Sequence, residues 1–170
     1  YKALVDFDFV RQNVSIPPKK GVMIIDSRPA ARHYDPGHIP GAINIPFEQN
    51  WIDPDARAQL RAGKVKDSSG MSLKSRAELV KLYEKLDPAK EVIVYCQSGN
   101  RAAQSAAVLG DLGYKNVKVF DASWLGYASW LSAPAEDEVW TNFGALLTAV
   151  KGLENRFGEL ERQTTAKPAK

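Results

Sequence analysis

The sequence predicts an α/β protein, a doubly wound parallel sheet followed by a C-terminal helical extension. Three observations carry that expectation. Short apolar runs rich in β-branched residues, Val22–Ile25, Val92–Tyr95 and Lys115–Phe120, read as strands, the first two continuous as in strands buried on both faces. Between them lie segments with apolar residues at helical spacing, and strand–helix alternation is the pattern of a parallel sheet. The chain has 170 residues, 44% of them hydrophobic, which is enough for one domain with a substantial core. Residues 1–135 are read as that domain, and residues 136–170 as a helix and a disordered tail.

Ala3–Val10 opens the chain as a helix or turn ahead of the Pro17-Pro18-Lys19-Lys20 connector. Val22–Ile25 is the first strand, with Asp26 and Arg28 at its end. A short helix over Pro29–Tyr34 leads into Asp35–Gly41, where proline and glycine set successive bends, and then into a small strand over Ala42–Ile45. Asp53-Pro54 signals a helix start. Phe47–Ser72 is less regular and a candidate part of the entrance to a site, and within it Gly63–Gly70 reads as an exposed loop. Ser72–Leu86 places Leu79, Leu82, Tyr83 and Leu86 at helical spacing and stops before Asp87-Pro88. The alanine-rich stretch after Arg101 ends on glycine, as a helix with a C-terminal stop does. Trp124 and Trp130 are expected in the core, with Trp124 near enough to the strand end to wall a pocket.

The chemistry is concentrated where the run Val92–Tyr95 stops at the only cysteine, Cys96, and passes through Gln97, Ser98, Gly99, Asn100 and Arg101 into the helix. Backbone N–H groups of such a loop and of the first helical turn have no partners of their own, and with the helix dipole they form an anion site. A thiolate there is stabilised by the same groups. Gly99 lets the loop curl with positive φ. Arg101 adds a fixed charge and a planar fork of donors. Cys96 is therefore the candidate nucleophile, the amides of Gln97 to Arg101 the candidate cradle, and Ser98 and Asn100 further hydrogen-bonding candidates.

The loop Cys96–Arg101 resembles the active-site loop of rhodanese-type sulfurtransferases. Val22–Arg28 followed by Tyr34–Pro46 looks like the amino-terminal signature of that family, and Val119–Tyr127 looks like its carboxy-terminal one. The resemblance implies a sheet of rhodanese type and a thiosulfate sulfurtransferase. In that chemistry Cys96 takes the outer sulfur of a donor such as thiosulfate, holds it as a persulfide and passes it to cyanide or a thiol, without a cofactor. A relay module that hands sulfur to a protein acceptor is the alternative. A cysteine-dependent phosphatase is a weaker one: those enzymes place one residue more between cysteine and arginine than the four found here, and the smaller ring suits a sulfur atom. Within the resemblance Asp26 and Arg28 tie the strand end to neighbouring loops, and His38 fixes its loop. Arg28 is kept as a substrate-binding candidate, because strand ends on this side line the site in open α/β sheets.

Several other classes are excluded. A formal charge of +3 with interspersed lysines and arginines is not a nucleic-acid footprint. A single cysteine rules out an internal disulfide. No apolar run is long enough to span a membrane. His33 and His38 have no cysteine or carboxylate at ligand spacing, so no metal site is expected. The chain opens on tyrosine, so a removed signal peptide and a periplasmic location are one expectation and a cytoplasmic location the other.

In the tail, Val139, Phe143, Leu146, Val150, Leu153, Phe157 and Leu160 follow alternating steps of four and three. This is a heptad-like seam over roughly three heptads, with Lys151, Glu154, Arg156 and Glu161 on other faces. Gly144, Gly152 and Gly158 oppose it, each costing about 1 kcal/mol relative to alanine. The helix either folds back over its own domain or pairs with a second copy in a homodimer. Residues after Arg162 are expected to be disordered.

Overall fold

The computed structural model describes residues 3–15, 19–30, 37–130, 132–136 and 143–165. The chain divides into two compact units, residues 1–139 and 140–170. Among the described residues of the first, five strands form one parallel sheet: β1 (Leu4–Val5), β2 (Val22–Asp26), β3 (Ala42–Asn44), β4 (Glu91–Tyr95) and β5 (Val117–Phe120). Their spatial order is β1-β5-β4-β2-β3. The helices are α1 (Phe7–Asn13), α2 (Ala56–Arg61), α3 (Arg76–Leu82), α4 (Asn100–Leu112) and α5 (Ser123–Tyr127), with 3₁₀ turns at Phe47–Asn50 and Ser69–Met71.

β4 is central because its side chains suit no other place. Val92, Ile93 and Val94 are fully buried, with β2 on one side and β5 on the other. Leu79, Tyr83 and Leu86 pack with Val92, Val94, Val108 and Leu109 in one core. α3 is shorter than its apolar spacing suggests. A capping box starts it at Ser75, whose hydroxyl accepts from the Glu78 N–H while Glu78 accepts from the Ser75 N–H; Tyr83 and Leu86 follow in the turns after it. α4 stops at Gly113, which takes the left-handed conformation at φ +104°.

The opening segment differs from the expected helix or turn. Leu4 and Val5 form an edge strand in register with Val119 and Phe120, and α1 follows with Asp6 as N-cap, its carboxylate accepting from the Phe9 N–H at 2.9 Å. Two residues carry no readable periodicity. α2 starts after Asp53-Pro54, because the Asp53 carboxylate first closes a turn on the Asp55 N–H. The helix expected over Pro29–Tyr34 falls largely outside the described residues. Trp130 is 56% exposed rather than buried, its ring stacked on Phe7 at 4.6 Å. The first unit also reaches past Ala135: Glu136 and His38 exchange both backbone hydrogen bonds, at 3.0 and 3.2 Å.

In the second unit α6 (Phe143–Thr165) is one continuous helix. It carries the heptad positions Val150, Leu153, Phe157 and Leu160, all exposed. It runs through Gln163–Thr165, where the sequence predicts disorder; residues 166–170 lie outside the described residues.

The strand order creates a crevice. From β2 the chain crosses to β3 on one side, and from β4 it crosses to β5 on the other, so the gap between the carboxyl ends of β2 and β4 is a topological switch point. A buried polar network fixes that crevice. The Arg28 Nε donates to both Asp26 carboxylate oxygens at 2.9 Å, and its Nη2 to Asp26 and to the Gly37 carbonyl. The Tyr95 hydroxyl donates to Asp26 at 2.7 Å and accepts from the Ile39 N–H. Burial, and then the Asp26 charge, push the Tyr95 hydroxyl well above its ordinary pKa, so it stays a donor. Asn44 Nδ2 donates to the carbonyls of Asp26 and Arg28.

Asp26 and Arg28 are at most 1% exposed, and a pair this deep costs about 3–5 kcal/mol when one partner is removed. Arg28→Ala is therefore expected to lower the unfolding free energy by about 3–5 kcal/mol in a denaturant titration. A loss below about 1 kcal/mol, the worth of an exposed pair, would show that the network is not the brace it is taken for.

Candidate active site

Cys96 is the first residue after β4 and is 1% exposed. Three hydrogen bonds hold its backbone and the next residue against the start of α5. The Cys96 N–H donates to Ser123 Oγ at 3.1 Å. The Cys96 carbonyl accepts from the Trp124 N–H at 3.0 Å, and the Gln97 carbonyl from the Leu125 N–H at 3.1 Å. Ser123 is fully buried and adopts φ +52°, an uncommon conformation for a residue with a side chain. Its hydroxyl also donates to the Phe120 carbonyl at 2.8 Å, so one side chain joins the end of β5 to the root of the loop. Sequence reasoning assigns Ser123 no separate role; its place just after a strand is the only signal.

From Cys96 the loop turns over the end of β5. Gly99 has φ +89°, and a Cβ there would lie 2.5 Å from Asp121 Oδ1 and 2.7 Å from the Asp121 carbonyl oxygen. Only glycine fits both the conformation and the space. The Gly99 carbonyl accepts from the Ala103 N–H and so opens α4. The N–H groups of Gln97, Ser98 and Gly99 have no acceptor among the described residues. The loop thus offers a short run of donors between the cysteine and a helix start, the arrangement that favours an anion.

The predicted site residues separate into two groups. Cys96, Gln97, Ser98, Gly99, Asn100 and Arg101 share this loop. Gln97 Oε1 is buried with no hydrogen-bond partner. Ser98 is exposed, and Asn100 accepts from Gln104 Nε2 one turn along α4 at 3.0 Å. Arg101 is half-buried and has no carboxylate within ion-pair distance among the described residues. Arg28, the further substrate-binding candidate, stands apart from that loop and is buried. Its guanidinium is enclosed by Asp26 and Gly37 and lies 4.5 Å from the ring centre of Trp124, the residue whose N–H holds the Cys96 carbonyl. Arg28 braces the loop from below. Trp124, 2% exposed, is a core residue.

A cleft of about 660 Å³ opens beside Arg101, lined by Pro29, Ala30, Pro46, Glu48, Arg57 and Arg61 among others. Its outer wall is α2, within the Phe47–Ser72 stretch, and no residue of the Gly63–Gly70 loop lines it. Sequence reasoning misses Arg57 and Arg61, since a short helix with two arginines reads as a solvated surface. His38 Nε2 lies 3.4 Å from Glu136 Oε2, which also accepts from the Gly41 N–H. Among the described residues no group of three His, Cys, Asp or Glu side chains is placed to hold a metal ion.

Residues 12–130 match the rhodanese-like domain. The chain is 42% identical over 101 residues to a thiosulfate sulfurtransferase of Corynebacterium glutamicum, covering 59% of this chain and 28% of that protein. It is 40% identical over 111 residues to a protein of Mycolicibacterium smegmatis provisionally named a thiosulfate sulfurtransferase, covering 64% and 34%. The chain thus spans about a third of the length of these relatives. The crystal structure of SseA from Escherichia coli, described with the rhodanese fold of 3-mercaptopyruvate sulfotransferases, superposes with a TM-score of 0.53 at 31% identity, over 73% of this chain and 41% of that one. An EanB variant bound to ergothioneine shares the fold, with a TM-score of 0.60 at 18% identity, over 82% of this chain and 33% of that one. Matched by the rhodanese-like domain over more than half its length, this chain belongs to the rhodanese-like family.

Proposed function

We propose that this domain is a sulfurtransferase that carries sulfur as a persulfide on Cys96. The observation that supports it most is the loop itself. It has a lone cysteine at the end of the central strand, amide donors without acceptors in the residues that follow, and Arg101 at the loop's end. In the first half-reaction the Cys96 thiolate attacks the outer sulfur of a donor such as thiosulfate. The donor's S–S bond breaks, and sulfite leaves with the electron pair. In the second, the outer sulfur passes to cyanide or a thiolate, and the pair returns to Cys96 Sγ. The amides of Gln97 to Arg101 and the Arg101 charge stabilise the anionic sulfur in both. Relatives named for thiosulfate support the donor class. A relay to a protein acceptor would use the same loop, and it differs only in what discharges the persulfide.

We also propose that α6 pairs with a second copy in parallel. With Val150 and Phe157 at a and Leu153 and Leu160 at d, Arg156 falls at g, and Glu154 and Glu161 at e. In a parallel pair each Arg156 faces the Glu161 of the other copy; in an antiparallel pair e faces e and like charges meet. Gly152 and Gly158 fall at c and b, off the seam.

Three measurements test these readings. Incubation with thiosulfate, followed by removal of excess reagent, should raise the intact mass by one sulfur atom, reversibly with cyanide. The Cys96→Ser protein should gain nothing; equal gain in that variant would place the sulfur elsewhere. Gly99→Ala should slow sulfur loading by roughly 100-fold, the scale of loss when reacting groups are misplaced by about 1 Å. A rate within twofold of the parent would mean the loop geometry is not what supports the reaction. In sedimentation, Arg156→Glu should weaken self-association of the full chain, and adding Glu161→Arg should restore it. A parent chain that sediments as a monomer would contradict the pairing.

A further inference from the structure

The cleft beside the loop is too large for the small anions of the reaction. Its volume of about 660 Å³ lies within the roughly 300–1,000 Å³ of sites that hold whole small molecules. Its outer wall is firmly held. The chain from Phe47 to Lys74 leaves the sheet and returns, clasped at its base by three backbone hydrogen bonds: Ile52 N–H to Ser72, Asp53 N–H to Gly70 and Lys74 N–H to Asn50, all 2.9 to 3.0 Å. Gly70 permits the closest approach, since a Cβ there would lie 2.8 Å from the Ala56 Cβ. The Tyr83 hydroxyl anchors Asn50 from the core at 2.8 Å. The excursion is thus a fixed element, and it carries α2.

α2 presents Arg57 and Arg61, one turn apart, to the cleft that also receives Arg101. Arg57 is preset: its guanidinium lies 4.9 Å from the ring centre of Trp51 and 5.8 Å from that of Phe47. None of the three has a carboxylate partner within ion-pair distance among the described residues. The cleft is not uniformly positive, because Glu48 and Asp55 also line it. Glu48 Oε2 is buried without a hydrogen-bond partner, so it turns away from the cleft and leaves the arginines as its main charge.

We infer that this cleft is the acceptor subsite, and that it selects a carboxylate-bearing thiol of amino-acid or small-peptide size. Arg57 and Arg61 grip the carboxylate. The inference rests on the persulfide reading and names the acceptor for it. The acceptor thiolate attacks the outer sulfur, the bond from that sulfur to Cys96 Sγ breaks with its electron pair on Sγ, and the product is the acceptor's own persulfide. The acceptor's thiol proton goes to solvent.

N-acetylcysteine and N-acetylcysteamine differ only in the carboxylate and are the probes. The full chain is loaded with thiosulfate, freed of excess reagent and mixed with either thiol, and loss of the persulfide mass is followed. The ratio of the two second-order rates is the readout, so each thiol's intrinsic reactivity cancels between proteins. In the Arg57→Gln, Arg61→Gln double variant the ratio should fall about tenfold towards the carboxylate-free thiol, the loss of one charge-assisted contact. Arg57 packs on aromatic rings, so the exposed Arg61→Gln alone provides a variant that should fold normally and shift the ratio in the same direction. An unchanged ratio in both variants overturns the inference, as does discharge that neither thiol accelerates, which points to a protein acceptor. If thiosulfate loads no sulfur at all, the persulfide reading itself fails before any acceptor is added, and this inference with it.

Discussion

The ion pair between Asp26 and Arg28, sealed by the Tyr95 hydroxyl, is the constraint on which the rest of the molecule depends. It sits where β2 and β4 end side by side and their connections diverge, the one place in an open parallel sheet where the backbone leaves a crevice. Two charges in that position are costly unless every donor and acceptor is used. Arg28 uses its fork on Asp26 and on the Gly37 carbonyl, and its guanidinium carbon lies over the Trp124 ring. Trp124 holds Cys96 by a backbone hydrogen bond, and Tyr95 is the residue before it. The cysteine's position is therefore set on two sides by one charge pair buried away from solvent.

Above this frame the loop is defined by close approach. Gly99 passes against Asp121, and Ser123, held at positive φ, joins β5 to the Cys96 amide. A backbone folded so tightly leaves the N–H groups of Gln97, Ser98 and Gly99 without acceptors among the described residues, which gives a small site a high density of donors without side chains. A loop of four residues between Cys96 and Arg101 can thus support an anion and still leave the thiol shielded.

Much of this is legible in the sequence. Val92–Tyr95 could only be a buried strand, the alanine-rich run ending on Gly113 could only be its helix, and Cys96 to Arg101 had to lie between them. The site's supporting contacts are less legible, for physical reasons. Arg28 reads as a strand-end tie or a substrate contact, but its enclosure by Gly37 and Trp124 is not legible, because Trp124 is distant along the chain. Ser123 has no pattern of its own. β1 is too short for a period to register, and Trp130, expected inside, is drawn to the surface by a stacking contact with Phe7. α2 shows the same limit: Arg57 and Arg61 become part of a cleft only because the clasp between 50–53 and 70–74 turns the excursion back toward Arg101.

The central claim is that the loop amides and Arg101 hold an anionic sulfur on Cys96. The most direct measurement is a crystal structure of the protein after exposure to thiosulfate. An added sulfur should be bonded to Cys96 Sγ and lie within hydrogen-bond distance of the N–H groups between Gln97 and Arg101. An unmodified Sγ, or a persulfide whose outer sulfur points away from those amides, would contradict it.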